Sequence, residues 1–176
     1  DQGDVAKLAF ALSFVGAFTF ISDMGYGSAH IKRLSEGNDE GTCNATFIAI
    51  RLTLTTVMMA GTIAAIFIWE SLNPAGAFSD GEQKFAVYVV LAYYVLFALA
   101  QIPAMTFNGR MEIAKQQVPE TVGTMARAPL IIFAVMAGLG AVALSMSYLV
   151  TGLLMCLIAV WLFRDRPVGS ANRAMA

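Results

Sequence analysis

An apolar run of 35 residues from Pro129 to Phe163 constrains this chain more than any other feature. As one helix it would be about 52 Å long at 1.5 Å per residue, whereas the hydrocarbon core of a bilayer is about 30 Å thick. A single spanning helix would therefore need an extreme tilt. Gly138 and Gly140 lie within the run and flank Leu139. We therefore predict two helices that are joined by a turn at these glycines.

Three more apolar runs precede this one, and the chain as a whole is 58% hydrophobic and only 13% charged. A soluble domain is about one quarter charged, so this chain has too few polar residues to cover a soluble core. The predicted fold is all-α: one polytopic membrane helix bundle over residues 1–176 with about five transmembrane helices. The predicted spans are approximately 5–23, 46–69, 85–107, 119–137 and 141–163.

The distribution of basic residues predicts the orientation of the bundle, because cytoplasmic loops are enriched in Lys and Arg. Basic residues follow the first, third and last spans: Lys32, Arg33, Arg110, Lys115, Arg164 and Arg166. The loop after the second span is instead net acidic. Five spans place all the basic segments on one face, which predicts an N-terminus outside and a C-terminus inside.

Arg127 falls inside the predicted fourth span, eleven residues before Gly138. That separation is about 16 Å along a helix, which places Arg127 near the middle of the bilayer. An arginine there costs about 2.5–3.5 kcal/mol on insertion scales, so we expect it to face a cavity or a partner. The alternative is a tilted or short span from which Arg127 reaches the inner interface. Pro129 predicts a kink or half-broken helix beside it and is a candidate hinge.

Other polar residues lie near the predicted membrane edges. Arg51 is expected near the inner edge of the second span, either as an interfacial residue or facing a cavity. Asp23 is expected at a similar depth, and an Asp23–Arg51 pair would lower the cost of burying both. For Gln101, a hydrogen bond between helices is the favoured interpretation over substrate contact. His30 is predicted to be a solvated interfacial residue.

Gly25 and Gly27 follow the first span and are candidate hinges, because small residues permit a bend or a close helix approach. Cys43 and Cys156 lie in or beside apolar runs without a CxxC pattern, which indicates packing residues. The sequence has one histidine and no convincing catalytic triad or carboxylate pair. We therefore expect no enzymatic activity, no metal site and no cofactor, and no nucleic-acid partner.

Three segments together resemble a known family. SDMGYGSAHIKRLSEG, residues 22–37, resembles the segment after the second helix of polysaccharide flippases of the multidrug/oligosaccharidyl-lipid/polysaccharide superfamily. FNGRMEIAKQQVPETVGTMARAP, residues 107–129, is similar to the loop that leads into the fifth helix of that family. WLFRDRPVGSANRA, residues 161–174, is similar to the end of its sixth helix. The resemblance covers essentially the whole chain and is closest to archaeal members.

The resemblance implies a transporter in the cell membrane that moves a lipid-linked oligosaccharide or polysaccharide precursor to the outer leaflet. Relatives have twelve to fourteen helices in two bundles, and this chain corresponds to helices two to six of the first. The expected partners are therefore the lipid bilayer, the lipid-linked glycan, and a second bundle or other membrane subunits. Arg127 and Arg51 become candidates for contact with the substrate phosphate, since a guanidinium matches phosphate geometry.

Two other functions stay open. The chain could be a non-transporting membrane subunit whose interior arginines pair with the helices of a larger complex. It could also be a cation-coupled drug exporter of the same superfamily. An exporter of that kind would need an acidic residue deep in a helix, and Asp23 is the nearest candidate.

Overall fold

The computed structural model describes residues 2–74, 76, 78 and 80–169. Its helices are α1 (Gln2–Gly16), α2 (Thr19–Asp23), α3 (Tyr26–Ser35), α4 (Glu40–Leu72), α5 (Gly81–Gly109), α6 (Ile113–Met136) and α7 (Gly140–Phe163). No strand occurs within these described residues. The prediction of an all-α helix bundle is therefore confirmed.

Four helices are long and apolar enough to cross a membrane by themselves. In α4, α5, α6 and α7 the mean hydropathy of the span is 1.8, 2.1, 1.2 and 2.1 respectively. A fifth span arises if α1 and the α2–α3 segment, which are bent by 40° relative to each other, are counted together. By length and composition the described chain thus has four to five spans, as a multi-pass membrane protein requires.

The long helices extend past the apolar stretches from which they were predicted. α4 begins at Glu40, ahead of the predicted limit at residue 46, and α6 begins at Ile113, ahead of residue 119. Asp39 caps α4 by accepting a hydrogen bond of 2.7 Å from the backbone N–H of Thr42. This cap stabilises the added polar turn of α4, which hydropathy alone does not detect.

The first predicted span is not one straight helix. α1 ends at Gly16, whose carbonyl accepts a hydrogen bond of 2.7 Å from the Thr19 hydroxyl. The short helix α2 ends at Asp23 and is followed by Met24 and Gly25, which have left-handed φ values of 41° and 79°. Glycine adopts this conformation at little cost, so Gly25 allows the chain to turn between α2 and α3.

α5 is the central helix of the bundle. It packs against α1, α3, α4, α6 and α7. Half of its apolar window is buried inside the protein, against at most 28% in the other three long spans. Since α5 touches each of these neighbours, its side chains connect regions that lie far apart in sequence.

The 35-residue apolar run forms two antiparallel helices, as predicted. Gly138 and Gly140 have φ values of 64° and 70° and form the turn between α6 and α7. Arg166, just after α7, contacts both Glu112 at the start of α6 and Glu40 at the start of α4. The beginning of α6 and the end of α7 therefore lie at the same end of the bundle.

The two ends of the bundle carry different ion pairs. We call the end with Glu112 and Arg166 the inner end, following the predicted orientation, and the opposite end the outer end. At the outer end Lys7 of α1 lies 2.8 Å from Asp80, the residue that caps α5. The ion pairs thus join α1 to α5 at one end and α4, α6 and the segment after α7 at the other. Which end faces the cytoplasm stays a prediction.

α6 differs from its prediction in one respect. It runs without interruption from Ile113 to Met136 through both Pro119 and Pro129. The half-broken helix expected beside Arg127 is therefore absent, and any role of Pro129 as a hinge stays a prediction. Membrane helices tolerate proline where neighbouring groups satisfy the freed backbone carbonyl.

Candidate functional site

Arg51 of α4 is buried and tied to two other helices. Only 5% of the residue is exposed. Its Nη1 donates to the Ser22 carbonyl at 2.5 Å and to Asp23 Oδ1 at 2.8 Å, and its Nε donates to the Ala98 carbonyl at 3.5 Å. The pair that Asp23 and Arg51 could form at their shared depth is therefore present. It links α2, α4 and α5 and balances the charge of the guanidinium.

A cavity of about 270 Å³ lies beside this pair. We call it the α2–α5 pocket; Asp23, Arg51, Tyr94, Phe97, Gln101 and Met105 line it. The side chain of Gln101 is half-buried and forms no hydrogen bond with any residue that the structure describes. The interhelical hydrogen bond expected of Gln101 is thus not found in the described part of the chain, and its amide instead borders the pocket.

Arg127 is held in a different way. Its guanidinium lies 4.9 Å from the centre of the Tyr148 ring on α7, and it lies close to the Tyr93 hydroxyl on α5. Within residues 2–74, 76, 78 and 80–169 it forms no ion pair with a carboxylate. At 1.5 Å per residue it is about 21 Å from the start of α6 and about 14 Å from its end. Arg127 is therefore a half-buried cation near the middle of a spanning helix.

α6 presents three faces because residues three or four apart lie on the same side of a helix. The buried face includes Pro119, Gly123 and Ala134. An exposed apolar face carries Val118, Val122, Met125, Ile132 and Met136. A second exposed face, which we call the α6 polar stripe, carries Gln117, Glu120, Thr121 and Thr124. Arg127 continues this stripe at the edge of the packed face.

The polar stripe explains why α6 has the lowest mean hydropathy of the four long spans, 1.2. Polar side chains inside a membrane normally face a cavity or another helix, because hydrocarbon offers them no hydrogen bonds. The apolar face of α6 suits lipid contact, but the stripe does not. The surface that includes Thr124 and ends at Arg127 is therefore suited to a water-filled space or a partner.

Two neighbouring tyrosines of α5 connect the surroundings of the two arginines. The ring of Tyr93 packs edge-on against Tyr148, with ring centres 5.4 Å apart, in the group that contacts Arg127. Tyr94 lines the α2–α5 pocket. The centres of the Tyr93 and Tyr94 rings are 5.2 Å apart. Sequence reasoning missed this cluster, although Tyr93, Tyr94 and Phe97 lie close together on one helix.

His30 is not the solvated residue that the sequence predicted. Only 3% of it is exposed; its ring stacks on Phe47 at 4.2 Å, and its Nε2 is 3.0 Å from the Thr106 hydroxyl. That hydroxyl also lies 3.1 Å from Asn44 Oδ1. The helical spacing of the buried residues Gly27, His30 and Leu34 was the signal that could have revealed this burial.

The two candidate hinge glycines have different surroundings. Gly25 has a φ of 79°, and a Cβ there would have open space around it. Gly27 is buried, and a Cβ there would lie 3.3 Å from Met105 Sδ and 3.5 Å from Asp23 Oδ1. A side chain at Gly27 would therefore press on the wall of the α2–α5 pocket. Movement at either glycine stays a prediction.

No group of three or more His, Cys, Asp or Glu residues in the described chain could hold a metal ion. Comparison with family models matches residues 1–173 to the model of the polysaccharide biosynthesis protein family. Searches of curated proteins and of solved structures gave no match. The family match covers nearly the whole chain and agrees with the resemblance in its sequence motifs. This chain therefore belongs to the polysaccharide biosynthesis protein family and is a multi-pass membrane protein.

Proposed function

We propose that this chain is part of a flippase that moves a lipid-linked oligosaccharide or polysaccharide precursor across the membrane. We further propose that Arg127 contacts the phosphate of that substrate. The observation that carries the proposal is a cation in the middle of a spanning helix whose contacts among the described residues are aromatic rather than acidic.

The surroundings of Arg127 suit a transient anionic ligand. An aromatic ring stabilises a desolvated cation by about 2 kcal/mol without neutralising it. The guanidinium keeps its positive charge and its planar set of donors, which match two phosphate oxygens. Arg51 suits this role less well, because Asp23 balances its charge and its Nε and Nη1 already donate to two carbonyls and to Asp23.

The α6 polar stripe supports a path for the polar part of the substrate. It runs from Gln117 to Thr124 in the inner half of α6, directly before Arg127. In alternating access a polar headgroup crosses between bundles instead of passing through lipid. A second bundle facing the stripe would complete such a cavity, with the lipid tails of the substrate remaining in the bilayer.

The structure favours this function over a cation-coupled exporter. Such an exporter would need a carboxylate available for a cation, but Asp23 already lies 2.8 Å from Arg51. A non-transporting subunit is distinguished by what Arg127 does. If Arg127 pairs with an acidic residue of another helix in a larger complex, removing it leaves a buried carboxylate unpaired and lowers stability.

The test is made in the full-length protein, expressed in a strain that lacks its own flippase. The variants are Arg127→Ala and Arg127→Lys, and the readouts are outer-leaflet glycan and the amount of protein in the membrane. Loss of a charge-assisted contact costs about 1.5–3 kcal/mol, so we expect Arg127→Ala to lower export about ten- to hundredfold. Arg127→Lys should retain part of the activity, because lysine supplies charge without the planar fork.

Arg164→Ala is the matched control. Its guanidinium also lies against an aromatic ring, 5.4 Å from the centre of Trp161, but it follows α7 at the inner end. We expect this control to export normally. Normal export by Arg127→Ala at equal abundance would end the phosphate-contact proposal. A joint loss of protein and export would favour the structural subunit.

A further inference from the structure

We propose that the α2–α5 pocket is a subsite for one uncharged sugar ring of the transported glycan. This inference rests on the proposed function and specifies which part of the substrate the pocket would hold. It also gives roles to Gln101, Tyr94 and Asp23 that differ from phosphate binding.

Three polar groups border the pocket with bonding capacity to spare. Among the described residues, neither the Gln101 amide nor the Tyr94 hydroxyl forms a side-chain hydrogen bond, and Asp23 uses only Oδ1 for Arg51. An amide offers donors and acceptors, a phenol both, and a carboxylate acceptors. Sugar hydroxyls are both donors and acceptors. These groups therefore complement a hydroxylated ring, whereas lipid tails would leave them without partners.

The remainder of the lining is apolar and aromatic. Phe97 and Met105 share the wall with the ring of Tyr94. A pyranose has an apolar C–H face as well as a hydroxylated edge. The electron-rich face of an aromatic ring attracts such weakly positive C–H groups. The pocket thus offers an apolar surface for one side of the sugar and hydrogen-bonding groups for its edge.

Charge and size favour an uncharged ring. Asp23 and Arg51 form a pair at 2.8 Å with no net charge, which attracts neither a cation nor an anion strongly. Pockets for drug-sized ligands are about 300–1,000 Å³. At about 270 Å³ the α2–α5 pocket suits a single sugar residue better than a longer oligosaccharide. Arg51, held by Ser22 and Ala98, acts here as a positioning residue for Asp23.

The position of the α2–α5 pocket relative to Arg127 agrees with a substrate in which a sugar is joined to a phosphate. Tyr94 borders the pocket, and its neighbour Tyr93 lies beside Arg127. The two tyrosines are consecutive on α5, so the proposed sugar subsite and the proposed phosphate contact lie on either side of one aromatic pair. In a lipid-linked glycan the first sugar is covalently attached to the phosphate. The protein groups that bind the sugar and those that bind the phosphate must therefore be near each other.

The experiment measures binding to the full-length protein in lipid nanodiscs. The probes are radiolabelled polyprenyl phosphoglucose and sugar-free polyprenyl phosphate. Gln101→Leu and Tyr94→Phe each remove hydrogen-bonding groups with little change in size. One neutral hydrogen bond is worth about 0.5–1.5 kcal/mol, so each variant should bind the sugar-bearing probe about two- to tenfold more weakly. Both variants should bind the sugar-free probe as the unaltered protein does.

Gln83→Leu and Tyr88→Phe are matched controls, because they make the same changes on α5 outside the pocket. Both should leave binding of either probe unchanged. The inference is overturned if the unaltered protein binds both probes equally, or if the pocket variants weaken both probes alike or neither. Arg127→Ala should weaken both probes. If the unaltered protein binds the sugar-bearing probe preferentially but Arg127→Ala weakens neither, the phosphate contact fails while the sugar subsite remains.

Discussion

Arg51 and Arg127 are the same residue type on two spanning helices that begin at the same end of the bundle, yet their side chains differ in burial and in their contacts. Arg51 is 5% exposed, has an acidic partner and donates to two backbone carbonyls. Arg127 is half-buried, has aromatic neighbours and ends a polar surface. Asp23 balances the charge of Arg51 inside the protein, whereas no described carboxylate balances the charge of Arg127 beside an exposed face.

The difference shows how a charge inside a membrane can serve structure or function. Burial of an ion pair costs desolvation energy that its attraction only partly offsets, but loss of one partner is strongly unfavourable. Arg51 is therefore expected to be needed for assembly. Arg127 has no acidic partner among the described residues, so its removal leaves no carboxylate unpaired there, and the expected reason to retain a charge at this depth is a ligand. Removal of Arg51 should therefore mainly lower stability, whereas removal of Arg127 should mainly lower transport.

The largest expected effect is all-or-none and concerns the face of the membrane from which each loop can be labelled. The comparison requires α4 and α6 to enter the membrane from the same face. In a background with Cys43 and Cys156 replaced by Ala, a cysteine at Asp80 should react with an impermeant thiol reagent applied outside. Cysteines at Glu36 and Glu112 should react only after the membrane is opened. Labelling of Glu36 and Glu112 from opposite faces would break the comparison and the five-span arrangement.

The next effect is on stability. Arg51→Ala leaves Asp23 without its partner, and breaking a buried pair costs about 3–5 kcal/mol. Because the Asp23 side chain is 57% exposed, we expect the lower part of this range. Thermal unfolding of the purified protein measures it. The double variant Asp23→Ala/Arg51→Ala should recover part of the loss. Arg127→Ala loses an aromatic contact but leaves no described carboxylate unpaired, so it should lower the unfolding temperature less than Arg51→Ala does. Equal losses for both arginines would erase the distinction between them.

A smaller effect tests the surface on which Arg127 lies. Thr124 and Met125 are consecutive and both exposed, but Thr124 belongs to the α6 polar stripe and Met125 to the apolar face. Thiol reagents react with the thiolate, which forms readily only in contact with water. In the background without native cysteines, Thr124→Cys should react about tenfold faster than Met125→Cys, since a thiol that faces lipid resists ionisation. Equal rates would mean that the stripe faces lipid.

The sequence predicted the fold well because membrane insertion leaves strong signals. Long apolar runs identify helices, and the glycines around Leu139 divided the longest run correctly. The left-handed turn at Gly25 lies at a position that the sequence offered only as a candidate hinge, and the 40° bend after Gly16 was not predicted. The extension of α4 back to Glu40 escaped hydropathy, because a cap and ion pairs stabilise it instead of apolar burial.

The candidate site was less predictable because it depends on which helices become neighbours. Depth alone suggested that Asp23 and Arg51 could meet, and they do. Depth said nothing about the side of α5 on which Gln101 and Tyr94 lie, or that Tyr148 of α7 packs beside Arg127. His30 was misjudged because Lys32 and Arg33 follow it closely in the sequence, whereas its neighbours in space are Phe47 and Thr106.

The smallest expected effect comes from an ion pair at the inner end of the bundle, which we compare with the Asp23–Arg51 pair within the membrane. Glu112 precedes α6 and contacts Lys115 and Arg166, whose hydrogen bonds hold the pKa of its carboxyl below the usual range. A lowered pKa in the folded state stabilises the protein above the unfolded value of about 4.3, and this contribution is lost as pH falls through the folded value. Exposed pairs contribute about 0.2–1 kcal/mol. Glu112→Gln should therefore destabilise the protein by up to about 1 kcal/mol at pH 7, much less than Arg51→Ala.

The pH dependence provides the decisive control for this pair. The difference in unfolding temperature between Glu112→Gln and the unaltered protein should shrink as pH falls below the unfolded value of about 4.3. It should disappear below the lowered pKa of the folded state, where the carboxyl is protonated in both states. Glu36→Gln is the matched control, since Glu36 lies 3.8 Å from Lys32 in a more exposed pair, and it should change stability less. A Glu112→Gln loss as large as that of Arg51→Ala would contradict the comparison. It would mean that the ion pairs of Arg166, rather than the pair within the membrane, hold the bundle together.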